Sequence, residues 1–241
     1  MSEPRDAPAD YEEYAEKHEA PRFTGWLRER AGADWTAATR HKFTRQLGAG
    51  ELDDDTFRRY LVQDYAFVGD LVGLFGHAVG EAPTMAAKSR LVGFLGALTD
   101  EENDYFERSF DALGVAEKRY ADPETTEVTR ALLDLLGRAA REGGYGETLA
   151  VLTPTEWVYL EWATAVDDDH DRFYLAEWVD LHSNPDFEAF VGWLRAELDR
   201  EGVTAAPRRR RRLDRLFART VELEAAFFEA AYDSPSGGSD R

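Results

Sequence analysis

Apolar residues recur three and four positions apart through most of the chain, and no stretch sustains the period-two alternation of a half-buried strand. That pattern predicts helices throughout. Local punctuation sets their expected bounds. Asp34 opens a helix through Leu47, closed by Gly48, Ala49 and Gly50. Asp53 or Asp54 opens a long one to about Val79, and a third runs from about Thr84 to Leu113 and stops at Gly114. Asp122, with Pro123 at the first helical position, starts a fourth. The next begins near Gly146, contains Pro154 and ends in the acidic turn Asp167–Asp171. A short helix covers Phe173–Leu181, Asn184 caps one that begins at Pro185, and the last spans Pro207–Tyr232. The expectation is one all-α domain of seven or eight helices over residues 22–232. A loosely ordered, Pro-, Ala- and acid-rich segment (1–21) precedes it, and a flexible tail (233–241) follows.

Four of these apolar stripes contain an acid. On the last helix Leu213, Leu216, Phe217, Thr220, Phe227 and Phe228 form a stripe with Glu224 in its middle. Asp64 sits among Phe57, Tyr60, Leu61, Val68 and Leu71, and Glu102 among Leu95, Leu98, Tyr105 and Phe106. Leu152, Thr155, Glu156, Tyr159 and Trp162 share a face of the helix that contains Pro154. A buried carboxylate without partners is costly and shifts its pKa or finds them. Four helices placing acids among aromatics predict a polar chamber at the centre of the bundle, lined by Asp64, Glu102, Glu156 and Glu224. For Thr155 and Glu156 a second reading stands beside this one. Thr155 can bond back to a carbonyl of its own helix, and Glu156 can face solvent.

The acids point to proton transfer rather than to metal. The five histidines are His18, His41, His77, His170 and His182, and none follows a glutamate at the Glu-x-x-His spacing of di-iron bundles. There is no cysteine, which excludes a thiol nucleophile, disulfides and thiolate metal sites. No metal and no other cofactor is expected.

Composition narrows the partners. The net charge is −19, and only four of the 29 basic residues are lysine. Sparse lysine with abundant Asp and Glu suits a salt-rich cytoplasm, where screening tolerates self-repulsion. The same balance argues against nucleic acid and anionic lipid. The run Arg208–Arg212 is therefore read as pairing with acidic surfaces or a neighbouring subunit, and Asp167–Asp171 as a solvated turn. No apolar run nears the roughly 20 residues of a membrane helix, and the polar N-terminus lacks a signal-peptide core, so the expected location is the cytoplasm.

Three stretches resemble the TenA/thiaminase II family when taken in order. They are RHKFTRQLGAGELDDDTFRRYLVQDYAFV, LTPTEWVYLEW and VELEAAFFEAAY. The resemblance covers about Trp26 to Tyr232. It implies a haem-oxygenase-like helical bundle without haem, usually a homotetramer. The implied activity is hydrolysis of the bond between a pyrimidine methylene carbon and an amine, salvaging the pyrimidine of thiamin breakdown products. Carried over by position, Asp64 contacts the aminopyrimidine, Glu224 is the catalytic glutamate, Phe227 stacks on the ring, Tyr159 follows the nucleophile and Glu102 lies near the pocket. Four positions depart from the pattern. The family's nucleophilic cysteine falls at Thr155, tyrosines become Phe67 and Val128, and another tyrosine aligns near His182. The chain looks closer to a cysteine-lacking branch that favours aminopyrimidine and formylaminopyrimidine.

Threonine is a weak nucleophile without a base, whereas a carboxyl in an apolar pocket serves as either acid or base. Glu224 is assigned as general acid to the departing nitrogen, Glu156 or Glu102 as positioning water or substrate, and Tyr159 as hydrogen-bonding the reacting centre. Asp64 would hold the ring nitrogen and exocyclic amine, with Phe227 and Trp157 as stacking area. Two rivals remain, a non-catalytic TenA-like binding or regulatory protein and a haem-oxygenase-fold oxidase related to quinone-cofactor biosynthesis. A basic, histidine-rich pocket would favour the oxidase.

Overall fold

A computed structural model describes residues 8–166 and 171–233. Among them the chain forms eleven α-helices and no strand. They are α1 (Tyr11–Glu16), α2 (Phe23–Thr39), α3 (Lys42–Gly48), α4 (Asp54–Glu81), α5 (Met85–Ala97), α6 (Asn103–Ala112), α7 (Glu127–Glu142), α8 (Tyr145–Ala163), α9 (Phe173–Ser183), α10 (Pro185–Thr204) and α11 (Pro207–Ala230). The all-α, single-domain expectation holds, and the helix number is higher because two expected helices are each split in two and α1 precedes them.

The helix expected over Asp34–Leu47 is two. Asp34 lies inside α2, just past Gly32, whose φ of 50° and ψ of −118° bend the chain without ending the helix. The break falls instead at Arg40 and His41, where the His41 ring caps α3 by accepting from the Phe43 amide at 3.2 Å. The expected helix over Thr84–Leu113 starts as predicted, with the Thr84 hydroxyl accepting from the Ala87 amide. It is then interrupted by a π-helical turn at Leu98–Glu102. Within that turn the Thr99 hydroxyl donates to the Leu95 carbonyl at 2.8 Å and competes with the ordinary ladder. In the fourth expected helix Asp122 and Pro123 stay outside. Thr126 caps α7, because Gln63 of α4 accepts from both the Thr126 amide (2.8 Å) and the Thr129 hydroxyl (2.7 Å). A tertiary partner decides between two caps of similar local strength.

The N-terminal expectation also changes. Within residues 8–21, α1 is docked through buried Tyr11 and Tyr14. The Tyr11 hydroxyl donates to the Pro21 carbonyl at 3.1 Å, and the Trp26 indole donates to the Pro8 carbonyl at 2.9 Å. Apolar bodies with polar tips satisfied inside fix a segment whose composition alone reads as loose. The expected tail from 234 onward and most of the acidic turn, residues 167–170, lie outside the described residues. The arginine run makes contacts within the chain. Arg209 pairs with Glu147 and Glu201, Arg210 with Glu12, and Arg212 donates to the Glu142 carbonyl at 2.7 Å.

The core is organised around α8. It is buried without a break from Tyr145 to Tyr159 and packs against α2, α4, α7, α9, α10 and α11. A helix buried all round has no polar face, so its polar residues meet other helices rather than water. That geometry brings Thr155, Glu156 and Tyr159 to the middle of the molecule. Thr155 and Glu156 follow Pro154, which lacks an amide and leaves the carbonyl four residues earlier without its helical donor. No helix among the described residues is long and apolar enough to cross a membrane.

Candidate active site

The four acids expected on separate stripes converge. Asp64 projects from α4, Glu102 from the end of the π-helical turn, Glu156 from α8 and Glu224 from α11. Each stripe is phased by its aromatic neighbours: Tyr60, Asp64 and Phe67 share one face of α4, and Thr220, Glu224 and Phe227 one face of α11. Asp64, Glu156 and Glu224 are 2%, 5% and 1% exposed, so solvent does not stabilise their charges. Glu102 is half-buried. The π-helical turn shifts the register at this point by widening the ring from i−4 to i−5, and such turns recur at functional sites.

Burial, and for Asp64 and Glu156 the neighbouring acids as well, shifts their titration. Burial is the main cause that pushes Asp64 well above the usual carboxylate range. The charges of Glu102 and Glu224 add to it, and a hydrogen bond from Tyr60 opposes it. Glu156 is pushed the same way by burial and then by Glu102, Glu224 and Asp64. Burial raises Glu102 to about 8, and Glu224 also to about 8 with a small opposing contribution from the Thr155 hydroxyl. Burial and crowding thus favour the protonated form of each acid, since like charges in a dry site cannot all ionise. One oxygen of each fully buried acid lacks any hydrogen-bond partner: Asp64 Oδ2, Glu156 Oε1 and Glu224 Oε1. Buried polar atoms are rarely left so, and three in one place make this cluster the candidate for binding a polar ligand.

Aromatic groups wall the cluster. Phe227 lies 5.6 Å from the Tyr60 ring and 6.3 Å from Phe67. The Tyr60 and Tyr159 hydroxyls are hydrogen-bonded at 2.7 Å. His182 of α9 is 4.8 Å from the Tyr159 ring. Its Nδ1–H donates to the Trp178 carbonyl at 2.9 Å, which sets the tautomer, and burial lowers its pKa to about 4. It is neutral and offers Nε2 as an acceptor.

Asp64, Phe67, Glu102, Thr155, Glu156, Tyr159, Glu224 and Phe227 are thus brought together. Trp157 is not with them. It lies two residues past Thr155, about 200° around the helix, and packs on Trp35 at 4.7 Å beneath the Arg195 guanidinium at 3.8 Å. Its expected stacking role gives way to a structural one. Thr155 is buried, and its hydroxyl donates to the Val151 carbonyl at 3.1 Å, the second of the two readings its sequence allowed. Glu156 faces its fellow acids rather than solvent. Tyr60 and His182 were not singled out as site residues. Tyr60 carries the signal in its place on the Asp64 stripe, four residues earlier with a polar tip. Among the described residues no group of three or more His, Cys, Asp or Glu side chains is arranged to hold a metal ion.

Comparison with known proteins agrees with this architecture. The TENA/THI-4/PQQC family profile matches residues 29–234. The aminopyrimidine aminohydrolase of Halalkalibacterium halodurans is 25% identical over 88% of this chain and 96% of its own length. That of Helicobacter pylori is 23% identical over 87% and 98%. Among solved structures, one described as a TenA family transcription regulator from a Silicibacter species superposes with a TM-score of 0.79 at 25% identity, covering 87% of this chain and 96% of that one. A TenA homologue from P. horikoshii superposes at 0.77 with 24% identity, covering 88% and 98%. With the profile spanning most of the sequence, this chain belongs to the TENA/THI-4/PQQC family.

Proposed function

We propose that this chain is a hydrolase of the thiamin-pyrimidine salvage type, an aminopyrimidine aminohydrolase acting without a thiol. Relatives of that name span nearly the whole chain. The observation that carries the mechanism is the set of unpartnered, buried carboxyl oxygens on Asp64, Glu156 and Glu224. A neutral carboxyl group has one donor and one acceptor. Asp64 in that form matches the edge of a 4-aminopyrimidine, donating to the ring nitrogen and accepting from the exocyclic amine. Phe227 offers a face to the ring, with Phe67 tilted beside it.

Hydrolysis then needs a proton for the leaving nitrogen and a base for water. Glu224, protonated near neutral pH, gives its proton to the leaving nitrogen of the substrate's neutral form as the C–N bond breaks and the bonding pair leaves with nitrogen. Water adds to the methylene carbon, giving the alcohol, and Glu156 or Glu102 in its ionised fraction accepts the water's proton. Transfer of that proton to Glu224 restores the cycle. Tyr159, joined to Tyr60, hydrogen-bonds near the reacting carbon. The test is direct: incubation with aminopyrimidine or formylaminopyrimidine releases hydroxymethylpyrimidine.

Thr155 takes no covalent part in this route, because its hydroxyl donates to Val151 and, among the described residues, no histidine is hydrogen-bonded to it. Thr155→Ala keeps kcat within about tenfold; a loss as deep as that of a missing nucleophile would contradict the water route. The absent nucleophile also favours a second reading, a binding protein that holds the pyrimidine without turnover. Tight binding with no product would support it. The site is acidic with one neutral histidine, which speaks against the oxidase. The resemblance carries a homotetramer, and the lysine-poor acidic composition carries a salt-rich cytoplasm. Light scattering over a range of KCl concentrations tests both, and a monomer insensitive to salt would exclude them.

A further inference from the structure

Hydrolysis needs a water beside acids that are closed to solvent. Asp64 Oδ2, Glu156 Oε1 and Glu224 Oε1 are all sealed. Two clefts reach the walls of the site. One is lined by Tyr60 and Phe227 and meets none of the four acids; its Phe227 wall is where the heterocycle is expected to lie. The other, of about 980 Å³, opens between α5 and the corner where α9 meets α10 and is lined by Glu102 and His182. We infer that this second cleft admits the hydrolytic water, and that the Nε2 lone pair of His182 holds that water for attack. The inference rests on the hydrolase reading and supplies what that reading leaves open, the delivery and orientation of the water.

An acceptor without a donor is the first reason. His182 is 6% exposed, and its Nδ1–H is taken up by the Trp178 carbonyl at 2.9 Å. Its Nε2 has no protein partner among the described residues, yet it is not one of the sealed atoms. A lone pair reached from a cleft takes a donor, and water supplies one. Position is the second. The His182 ring lies 4.8 Å from that of Tyr159, the tyrosine assigned to the reacting carbon. Glu102, on the same cleft, bears on Asp64 and Glu156, so a water on Nε2 stands on the wall that the cleft shares with the acids.

Rigidity is the third. Trp178 and Phe187 meet the imidazole edge-on at 4.4 and 5.2 Å and hold it in place. Burial lowers its pKa to about 4, so it stays neutral and is too weak a base to keep a proton. One O–H of the water donates to Nε2. The water oxygen bonds to the methylene carbon as the C–N pair leaves with nitrogen, and the water's other proton goes to the ionised acid, Glu156 or Glu102. A fixed acceptor aims the oxygen lone pair and removes the entropy cost of placing the water during reaction.

Substitutions at His182 separate holding water from packing. His182→Phe fills the space without an acceptor and lowers kcat on aminopyrimidine about 10- to 100-fold, as for loss of one hydrogen bond to a reacting group. KM stays within about twofold, because the ring is held elsewhere. His182→Gln, whose side-chain carbonyl still accepts, keeps kcat within about fivefold of wild type. His182→Ala opens a hole on the cleft, and millimolar imidazole restores its kcat about fivefold or more; the Phe variant, with no hole, gains nothing. Thermal unfolding checks each fold, and the Phe and Gln variants decide the matter should Ala not fold. Full activity in the Phe variant overturns the inference. So does a Gln variant as slow as Phe, which makes His182 a packing residue, or a folded Ala variant that imidazole does not restore. A wild-type chain that releases no hydroxymethylpyrimidine removes the hydrolase reading and the inference with it; wild-type turnover with any of those three results removes the inference alone.

Discussion

Glu224→Gln lowers kcat on aminopyrimidine by about 10²–10⁴-fold, the range for removal of a general acid. The amide keeps the shape and the hydrogen-bonding capacity of the protonated side chain, so substrate affinity changes little. The wild-type rate falls as pH rises through about 8, where Glu224 loses its proton; the residual rate of the variant lacks that limb. Stability moves the opposite way. Glu224 titrates at about 8 in the fold against 4.5 as its ordinary value, so the folded state keeps a proton that the unfolded chain loses. Its cost to stability is absent below about pH 4.5, grows with pH and is complete above about 8. Replacement by Gln removes a penalty on the order of 4 kcal/mol at pH 8 and almost none at pH 4. Denaturant unfolding at the two pH values, beside the kinetics, checks both arms. A variant that is inactive and also destabilised at pH 8 would point to a structural role instead.

Asp64→Ala acts on recognition. Two hydrogen bonds to the heterocycle edge are lost, each worth about 1–1.5 kcal/mol in a buried site, so KM rises on the order of 10²-fold. Asp64 also pushes its neighbours. With its carboxyl gone, Glu156 ionises more readily, since Asp64 is among the causes of its raised pKa. The pH-rate profile then shifts to lower values. Asp64→Asn separates the two effects, because an amide restores a donor and an acceptor but cannot ionise. Rescue of KM by Asn with the profile still shifted is the expected result. An unchanged KM in the Ala variant would place the pyrimidine elsewhere.

Much of this site was legible because helix periodicity is a strong signal. The phase of Asp64 follows from Tyr60, Leu61, Val68 and Leu71, and that of Glu224 from Thr220, Phe227 and Phe228. Trp157 was misplaced where that signal fails. In a helix buried on all sides no stripe fixes the phase, and a tryptophan next to Glu156 looks as central as Tyr159. Glu102 was found on its stripe, yet the π-helical turn that carries it was not foreseen. One extra residue per ring leaves only a slip in an otherwise helical pattern. Boundaries failed where distant residues chose between local options, as Gln63 did in favouring Thr126 over Asp122. The N-terminal segment was misread because its acidic composition hid two tyrosines that dock α1.

A crystal structure with hydroxymethylpyrimidine, the product, tests the central claim most directly. The account places the ring against Phe227, with its nitrogen and amine about 3 Å from Asp64 and its hydroxymethyl group toward Glu224 and Glu156. The product bound away from these acids, or Asp64 and Glu224 found on separate surfaces with no space between them for a ring, would contradict it.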